Sequence, residues 1–323
     1  MPKAGAAAPK DDPCAVIESV SSSQMARRLA EYCRNKALDV WTIVTLTPIE
    51  LAAIVEGDVE QAESLLMRLK DAVGVETVKG GTLKEVAQRK KEYKVLKTRV
   101  AEFDGKTPWG GVRFGAVYGF VGEYGAGKSL MATQIASYAA AEGHRVAYLY
   151  TEGQFSEAVF LRIVARAASE VGVDEDAAAE RIEVYEVAHS FALQQLLTRL
   201  PSGVQVIVVD SIIEPFRAEF RGRELLQRRQ QELHYVINLL KRRCVVFNAL
   251  AVVTNQVMDV PEVFMMGVKK MAGGNILAHT VDYIFFMHRP NKKKLEGVMY
   301  PHDVPGMPPD VEIRYTIADD GLH

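Results

Sequence analysis

The chain has 323 residues, 48% of them hydrophobic and 25% charged, with a formal net charge of −2 at pH 7. That is ordinary globular composition with ample material for a buried core, and its balance announces no nucleic-acid binder, although a local basic loop can supply phosphate contacts on a neutral protein. The three cysteines, Cys14, Cys33 and Cys244, show no CxxC spacing, which argues against a disulfide framework or zinc site, and no apolar run reaches the roughly 18 residues of a membrane span.

The first residues, "MPKAGAAAPKDDP", lack the apolar segment of a signal peptide and read as a disordered tail over 1–16, with a cytoplasmic protein as the expectation. A helical region follows over 17–78. Its clearest part, "VTLTPIELAAIVEGDVEQAESLLMRLKDAVG", carries apolar residues at helical spacing: Leu51, Ile54 and Val55, then Ala62, Leu65 and Leu69. Thr47 before Pro48 and Glu50 signals one helix start, and Asp58 signals the next. Two short helices about a Gly turn read as a helix-hairpin-helix unit; a plain helical bundle is the alternative. Residues 79–100, with Gly80-Gly81 and dense Lys and Arg, read as a basic, partly helical linker.

From 101 to 323 the texture changes. Apolar runs "AVYGFVG", "RVAYLYTE", "RIEVYEV", "VQVIVVDS", "ALAVVTNQ" and "VDYIFFMH" alternate with helix-length amphipathic stretches. Continuous apolar strands separated by helices predict an α/β fold with a mostly parallel sheet covered on both faces.

Gly122 to Ser129, "GEYGAGKS", fits G-x-x-x-x-G-K-[ST] between a strand and a helix, the context that pattern needs. The loop from Gly122 through Glu123, Tyr124, Gly125, Ala126 and Gly127 to Lys128, Ser129 and Leu130 is the candidate nucleotide cradle. Its glycines let successive amides face phosphate oxygens, and the helix N-terminus adds its dipole. Lys128 is placed to reach the β- and γ-phosphates and Ser129 to supply a hydroxyl to Mg²⁺. Asp210, at the tip of "VQVIVVDS", is the Mg²⁺-side acid, because ligands bind at the carboxyl ends of parallel strands. Glu152 ends the strand after the loop helix, where a carboxylate can orient water and take its proton. Gln256, after Asn255, ends another strand and is a candidate γ-phosphate sensor.

Taken in order, "GEYGAGKS", "YTEGQF", "VVDS", "FRGRELLQRRQ", "VVTNQV" and "KKMAGGNILAH" resemble the RecA/RadA recombinase family in its archaeal and eukaryotic branch, over roughly residues 40–321. The resemblance implies a RecA-like P-loop ATPase core preceded by a small all-α helix-hairpin-helix domain. It further implies ATP and Mg²⁺ as cofactors, DNA-linked ATP hydrolysis in recombination and repair, and a nucleoid location. The implied partners are single-stranded DNA, double-stranded DNA and recombinase subunits. Glu152 matches the family's catalytic glutamate, and Gln256 the glutamine that couples the γ-phosphate to the second DNA loop. Residues 217–230 resemble the first DNA loop and the helix after it, with Arg221, Arg223 and Arg229 as phosphate ligands. Residues 257–274 resemble the second, with Lys269 and Lys270 ahead of Gly273 and Gly274. His279 matches a histidine near the nucleotide, and Asp303 and Pro305 a cap over a neighbouring subunit's ATP.

Three features depart from that family's pattern. Polymerising members carry Phe-x-x-Ala in the linker, where this chain has Gly80 and Leu83. The usual "TGSKxLDxLLGGG" lead-in is replaced by "VAEFDGKTPWGGV". The position of an adenine-stacking arginine falls on Val159, leaving Arg162, one helical turn on, as the candidate substitute; the first DNA loop is also one residue short. These departures touch self-assembly and base gripping while the phosphate-handling residues are intact. They favour an accessory RadA paralog over a principal recombinase. A nucleotide-gated scaffold, or a regulatory ATPase acting on a protein, is the alternative class.

Overall fold

The computed structural model of the chain describes residues 15–36, 38–75, 80–152, 155–258, 270–271, 280–302 and 304–323. They fall into two compact units: one reaching to Lys91 and including Leu196–Gly203, the other comprising Glu92–Gln195 and Val204–His323.

In the first unit, α1 (Ala15–Val20) opens two residues before the expected start of the helical region at 17, and α2 (Gln24–Lys36), α3 (Val40–Ile43), α4 (Pro48–Val55), α5 (Val59–Ala72) and α6 (Leu83–Lys91) follow. The start of α4 is a capping box: the Thr47 hydroxyl accepts from the Glu50 N–H at 3.3 Å, and the Glu50 carboxylate accepts from the Thr47 N–H at 2.6 Å. Asp58 caps α5 by accepting from the Glu60 and Gln61 N–H groups at 2.9 and 3.0 Å. The apolar stripe then packs inward, with Ile17, Leu29, Leu51, Leu65 and Leu69 buried. Each such side chain contributes about 1.5–3 kcal/mol by leaving water.

The second unit starts with β1 (Val95–Leu96), α7 (Ala101–Lys106) and β2 (Val112–Arg113), β1 and β2 pairing antiparallel. Next come β3 (Ala116–Gly122), α8 (Lys128–Ala141), β4 (Arg145–Tyr150), α9 (Glu157–Val171), α10 (Glu175–Ala179), β5 (Ile182–Glu186) and α11 (Ser190–Arg199), whose residues from Leu196 on count with the first unit. The rest comprises β6 (Val204–Asp210), α12 (Glu214–Glu219), α13 (Leu226–Phe247), β7 (Leu250–Met258), β8 (Lys270–Met271), β9 (Tyr283–His288), β10 (Glu296–His302), β11 (Ile313–Ala318) and β12 (Gly321–Leu322). Among the described residues these build a ten-stranded sheet in the order β12-β11-β10-β9-β3-β7-β6-β4-β5, with β8 attached to β7.

The apolar runs of the sequence form the six strands β9-β3-β7-β6-β4-β5, all parallel. This is the expected mixed α/β arrangement. The antiparallel extension β10-β11-β12 was not anticipated, because those strands alternate buried and exposed residues only briefly. Every residue of β3 is buried, as a central strand covered on both faces requires. Helix α8 is buried on nearly all sides, and its run of small residues, Ala132, Ala136, Ala139 and Ala140, lets it lie close against its neighbours.

The buried Gln134 ties α8 to the chain's last strand. Its side-chain N–H donates to the Thr98 carbonyl at 2.6 Å and the Leu322 carbonyl at 3.0 Å, while its oxygen accepts from the Leu322 N–H at 2.7 Å. Because β3, β4, β6 and β7 are parallel neighbours, their carboxyl ends share one edge of the sheet.

Candidate nucleotide site and nucleic-acid loops

At that edge the loop 122–127 joins β3 to α8. Gly122 has no room for a side chain, since a Cβ there would stand 2.2 Å from the Met287 carbonyl oxygen. Gly127, the N-cap of α8, has φ 90°, a left-handed conformation that glycine adopts without strain. Neighbouring strands hold the loop from behind. The Arg289 guanidinium donates to the Gly125 carbonyl at 3.0 Å, and the Tyr315 hydroxyl to the Ala126 carbonyl at 2.5 Å. His288 pairs with the Glu123 carboxylate. Tyr124 is 83% exposed at the loop's outer tip.

Lys128 is 9% exposed and its ammonium donates to the Glu123 carbonyl at 2.8 Å. Burial pulls its pKa down, opposed by the charges of Asp210, Glu152 and Glu123. Asp210 is pushed up, chiefly by burial, against hydrogen bonds from Thr254, Ser129 and Tyr148; the Glu152 charge adds to the upward push. The Tyr148 hydroxyl donates to Asp210 Oδ2 at 2.9 Å, and the Thr254 hydroxyl donates to Oδ1. Glu152 Oε1 accepts from both the Ser211 hydroxyl at 2.8 Å and the Gln256 side-chain N–H at 3.1 Å. β3 and β7 run in a register that sets Gln256 opposite Gly122, so the amide stands beside the start of the loop.

Thus Lys128, Ser129, Glu152, Asp210 and Gln256, picked from separate motifs, gather at one sheet edge. Ser129, Thr133, Tyr148, Glu152, Val159 and Asp210 line a common cavity of about 210 Å³, and Leu130 adds to its wall. A buried cation, a hydroxyl hydrogen-bonded to a carboxylate, and the N-terminus of a 14-residue helix suit a metal-bound polyphosphate. A larger cavity of about 730 Å³ lies along β10 and β11, but its charged groups answer one another, as Glu312 does Arg314 at 3.4 Å.

A family model described as Rad51 matches residues 89–323. The chain belongs to the Rad51 family. It is similar to the DNA repair and recombination protein RadA of Methanoculleus marisnigri, 28% identical over 301 residues that cover 88% of this chain and 91% of the relative. It is 32% identical to the protein of the same name from Ignicoccus hospitalis over 231 residues, 66% of this chain and 68% of that one. The RadA-type recombinase membership implied by the order of motifs is therefore shown.

Rad51-family expectations for the DNA loops meet the structure unevenly. Only 220–225 is loop: Arg217 lies on α12, and Arg229, half-buried, belongs to α13. Arg221 and Arg223 are exposed, and Arg221 donates to the Ala218 carbonyl at 3.1 Å. Lys270 stands in β8, whose backbone pairs with the end of β7. Lys269, Gly273, Gly274, His279 and Asp303 lie outside the described residues. Pro305 is an exposed turn residue. Arg162, the candidate substitute for the adenine-stacking arginine, is exposed, and its Nε donates to the Asp319 carbonyl at 3.1 Å.

Tyr148, Thr254, His288, Arg289 and Tyr315 belong to this site but are not among the residues picked from the motifs. Tyr148 and Thr254 had a signal in strand parity, Tyr148 four residues before Glu152 and Thr254 two residues before Gln256. His288 and Arg289 stand at the carboxyl end of the predicted strand "VDYIFFMH", where the parallel-strand rule puts them at the same edge; Tyr315 had no signal, because it comes from the antiparallel extension.

Proposed function

We propose that this chain is a DNA-dependent ATPase of homologous recombination and DNA repair, one that binds single-stranded DNA together with ATP and Mg²⁺. The observation that carries this reading is the double hydrogen bond on Glu152 Oε1, from Ser211 and from Gln256, next to the Lys128-Ser129 helix start. A carboxylate held there is oriented to position a water against the γ-phosphate and to accept its proton. Lys128 and the loop amides hold the phosphates, and Gln256 exchanges its Glu152 contact for the γ-phosphate. Ser129 and Asp210 would hold Mg²⁺, which neutralises phosphate charge when bound. Arg221 and Arg223 contact the DNA backbone and leave the bases free. We read α4 and α5, with the Glu56-Gly57 turn between them, as a helix-hairpin-helix unit that offers amides to a DNA phosphate. On this reading the protein works at the nucleoid.

A second reading concerns rank within the family. Leu83 is 86% exposed and Gly80 carries no side chain, so the linker positions where polymerising relatives carry Phe and Ala offer no aromatic anchor. That favours an accessory paralog assisting another subunit's filament.

The test is phosphate release with and without single-stranded DNA for the wild type, Lys128→Ala and Glu152→Gln. The expectation is DNA-stimulated turnover in the wild type and loss in both variants, with Glu152→Gln still binding nucleotide. A Lys128→Ala protein as active as wild type would overturn the site. Mass measurement with ATP and DNA separates the two ranks: long polymers indicate a principal recombinase, and a small oligomer that still hydrolyses ATP indicates the accessory form.

A further inference from the structure

Ser211 stands between the nucleotide site and the first loop, and its connections run both ways. Its hydroxyl donates to Glu152 Oε1 at 2.8 Å. Its N–H donates to the Thr151 hydroxyl oxygen at 3.0 Å, and that hydroxyl donates back to the Ser211 carbonyl at 2.7 Å. Residue 211 is therefore fastened at three points to the Thr151-Glu152 pair, with 1% of its surface exposed.

Downstream there is little slack. The Ile212 N–H donates to the Thr254 carbonyl at 3.0 Å, and Ile212, Ile213 and Phe216 are fully buried. Helix α12 starts at Glu214 and ends at Glu219, whose carboxylate accepts from the Ser190 N–H at 2.7 Å and from the Ser190 hydroxyl. The next residue, Phe220, opens the loop that carries Arg221 and Arg223. The inner side of this segment, Ile212, Ile213 and Phe216, is close-packed and transmits displacement, while Glu214, Pro215 and Ala218 on its outer side share a cavity of about 410 Å³ with Thr151, Glu152 and Gln256, which leaves the carboxylate room to move. Gln256 offers the carboxylate a second donor on the same oxygen, from a different strand.

We propose that Ser211 is a positioning residue: it carries the state of the 220–225 loop to the Glu152 carboxylate, so that DNA stimulates hydrolysis through the Ser211 hydroxyl. The inference rests on the DNA-dependent ATPase reading above. DNA drawing on the loop shifts α12 and residue 211 together and resets the carboxylate between its two donors. Gln256 reports nucleotide to that oxygen, and Ser211 reports DNA.

The experiment compares wild type, Ser211→Ala and Ser211→Thr. It measures ATP turnover with and without single-stranded DNA, and DNA binding by anisotropy with a non-hydrolysable ATP analogue. The expected result is a stimulation ratio lower by about tenfold in Ser211→Ala, the scale of one hydrogen bond to a charged group, with DNA still bound. Ser211→Thr, which keeps the hydroxyl, is expected to recover the ratio. An unchanged ratio in Ser211→Ala, loss of DNA binding in that variant, or failure of the Thr variant to rescue overturns the proposal while leaving the ATPase reading intact. A wild type that hydrolyses ATP without response to DNA removes the ATPase reading's DNA dependence and this inference with it.

Discussion

The Tyr148 hydroxyl donates to Asp210 Oδ2 at 2.9 Å from a side chain that is 2% exposed. Burial, and then the Asp210 charge, push this phenol's pKa well up, so it remains a donor at any working pH. With Thr254 on Oδ1 it fixes both oxygens of the proposed metal-side carboxylate.

Removing that donor is expected to weaken metal use more than catalysis. Tyr148→Phe keeps the ring's packing against Phe160, whose centroid is 5.0 Å away, and leaves one Asp210 oxygen less firmly held. The Mg²⁺ concentration for half-maximal turnover is expected to rise about tenfold, as for other outer partners of metal ligands, with turnover at saturating Mg²⁺ little changed. Titration of ATPase rate against Mg²⁺ checks it; an unchanged midpoint would show that Thr254 suffices.

The exposed arginines of 220–225 predict a salt effect. Arg221→Ala with Arg223→Ala is expected to weaken single-stranded DNA binding and to flatten the log–log salt dependence by about 1.4, two phosphate contacts at about 0.7 each. Binding curves at several salt concentrations measure the slope. Thermal stability is expected to hold, because neither side chain is buried.

His144 predicts a pH dependence of stability. It is 6% exposed, Lys94 donates to its Nε2 at 2.5 Å, and its Nδ1 is 2.8 Å from the Gln205 side-chain oxygen. Burial lowers its pKa, the Gln205 bond partly opposes this, Lys94 adds to the lowering and Glu142 opposes it. A base depressed in the folded state binds fewer protons there than when unfolded, so stability rises with pH through the window below the ordinary imidazole value of about 6.5. Acidification from neutrality through that window is therefore expected to lower the melting temperature, and less so in His144→Gln. Parallel losses in both proteins would assign the effect to other groups.

Gln134 predicts a local stability cost. Gln134→Ala strands the Leu322 N–H and the Thr98 carbonyl in a buried place, while the Leu322 carbonyl keeps Arg166 at 3.4 Å, which is expected to cost about 2–4 kcal/mol. Urea unfolding followed by a probe of the second unit measures it. A difference below the scatter of the measurement would mean that the last strand adjusts freely.

Much of the larger unit was legible because its signals are short-range. Six apolar runs separated by helix-length stretches imply parallel strands, and parallel strands force their carboxyl ends to one edge. That rule by itself placed Glu152, Asp210 and Gln256 beside the Gly122-Ser129 loop. The caps at Thr47 and Asp58 were readable for the same reason, since a cap and its recipient amide lie within three residues. Within 217–230, read as a loop and the helix after it, the sequence did not mark the boundary, because an Arg-rich stretch with good helix propensity carries no sign of where the loop stops; the structure puts it before Leu226, with Arg229 on the helix. The contact of the exposed Arg162 with the Asp319 carbonyl, at the far end of the chain, carries no local signal either.

The sequence alone determined which chemical groups stand at the sheet edge, because hydrophobic periodicity and loop pattern are local properties of the chain. Only the tertiary structure decided which donors those groups share. The Tyr148–Asp210, Ser211–Glu152 and Gln256–Glu152 bonds join residues 62, 59 and 104 positions apart. The strand register and the packing of α12 set each of these contacts, and neither leaves a mark in neighbouring residues.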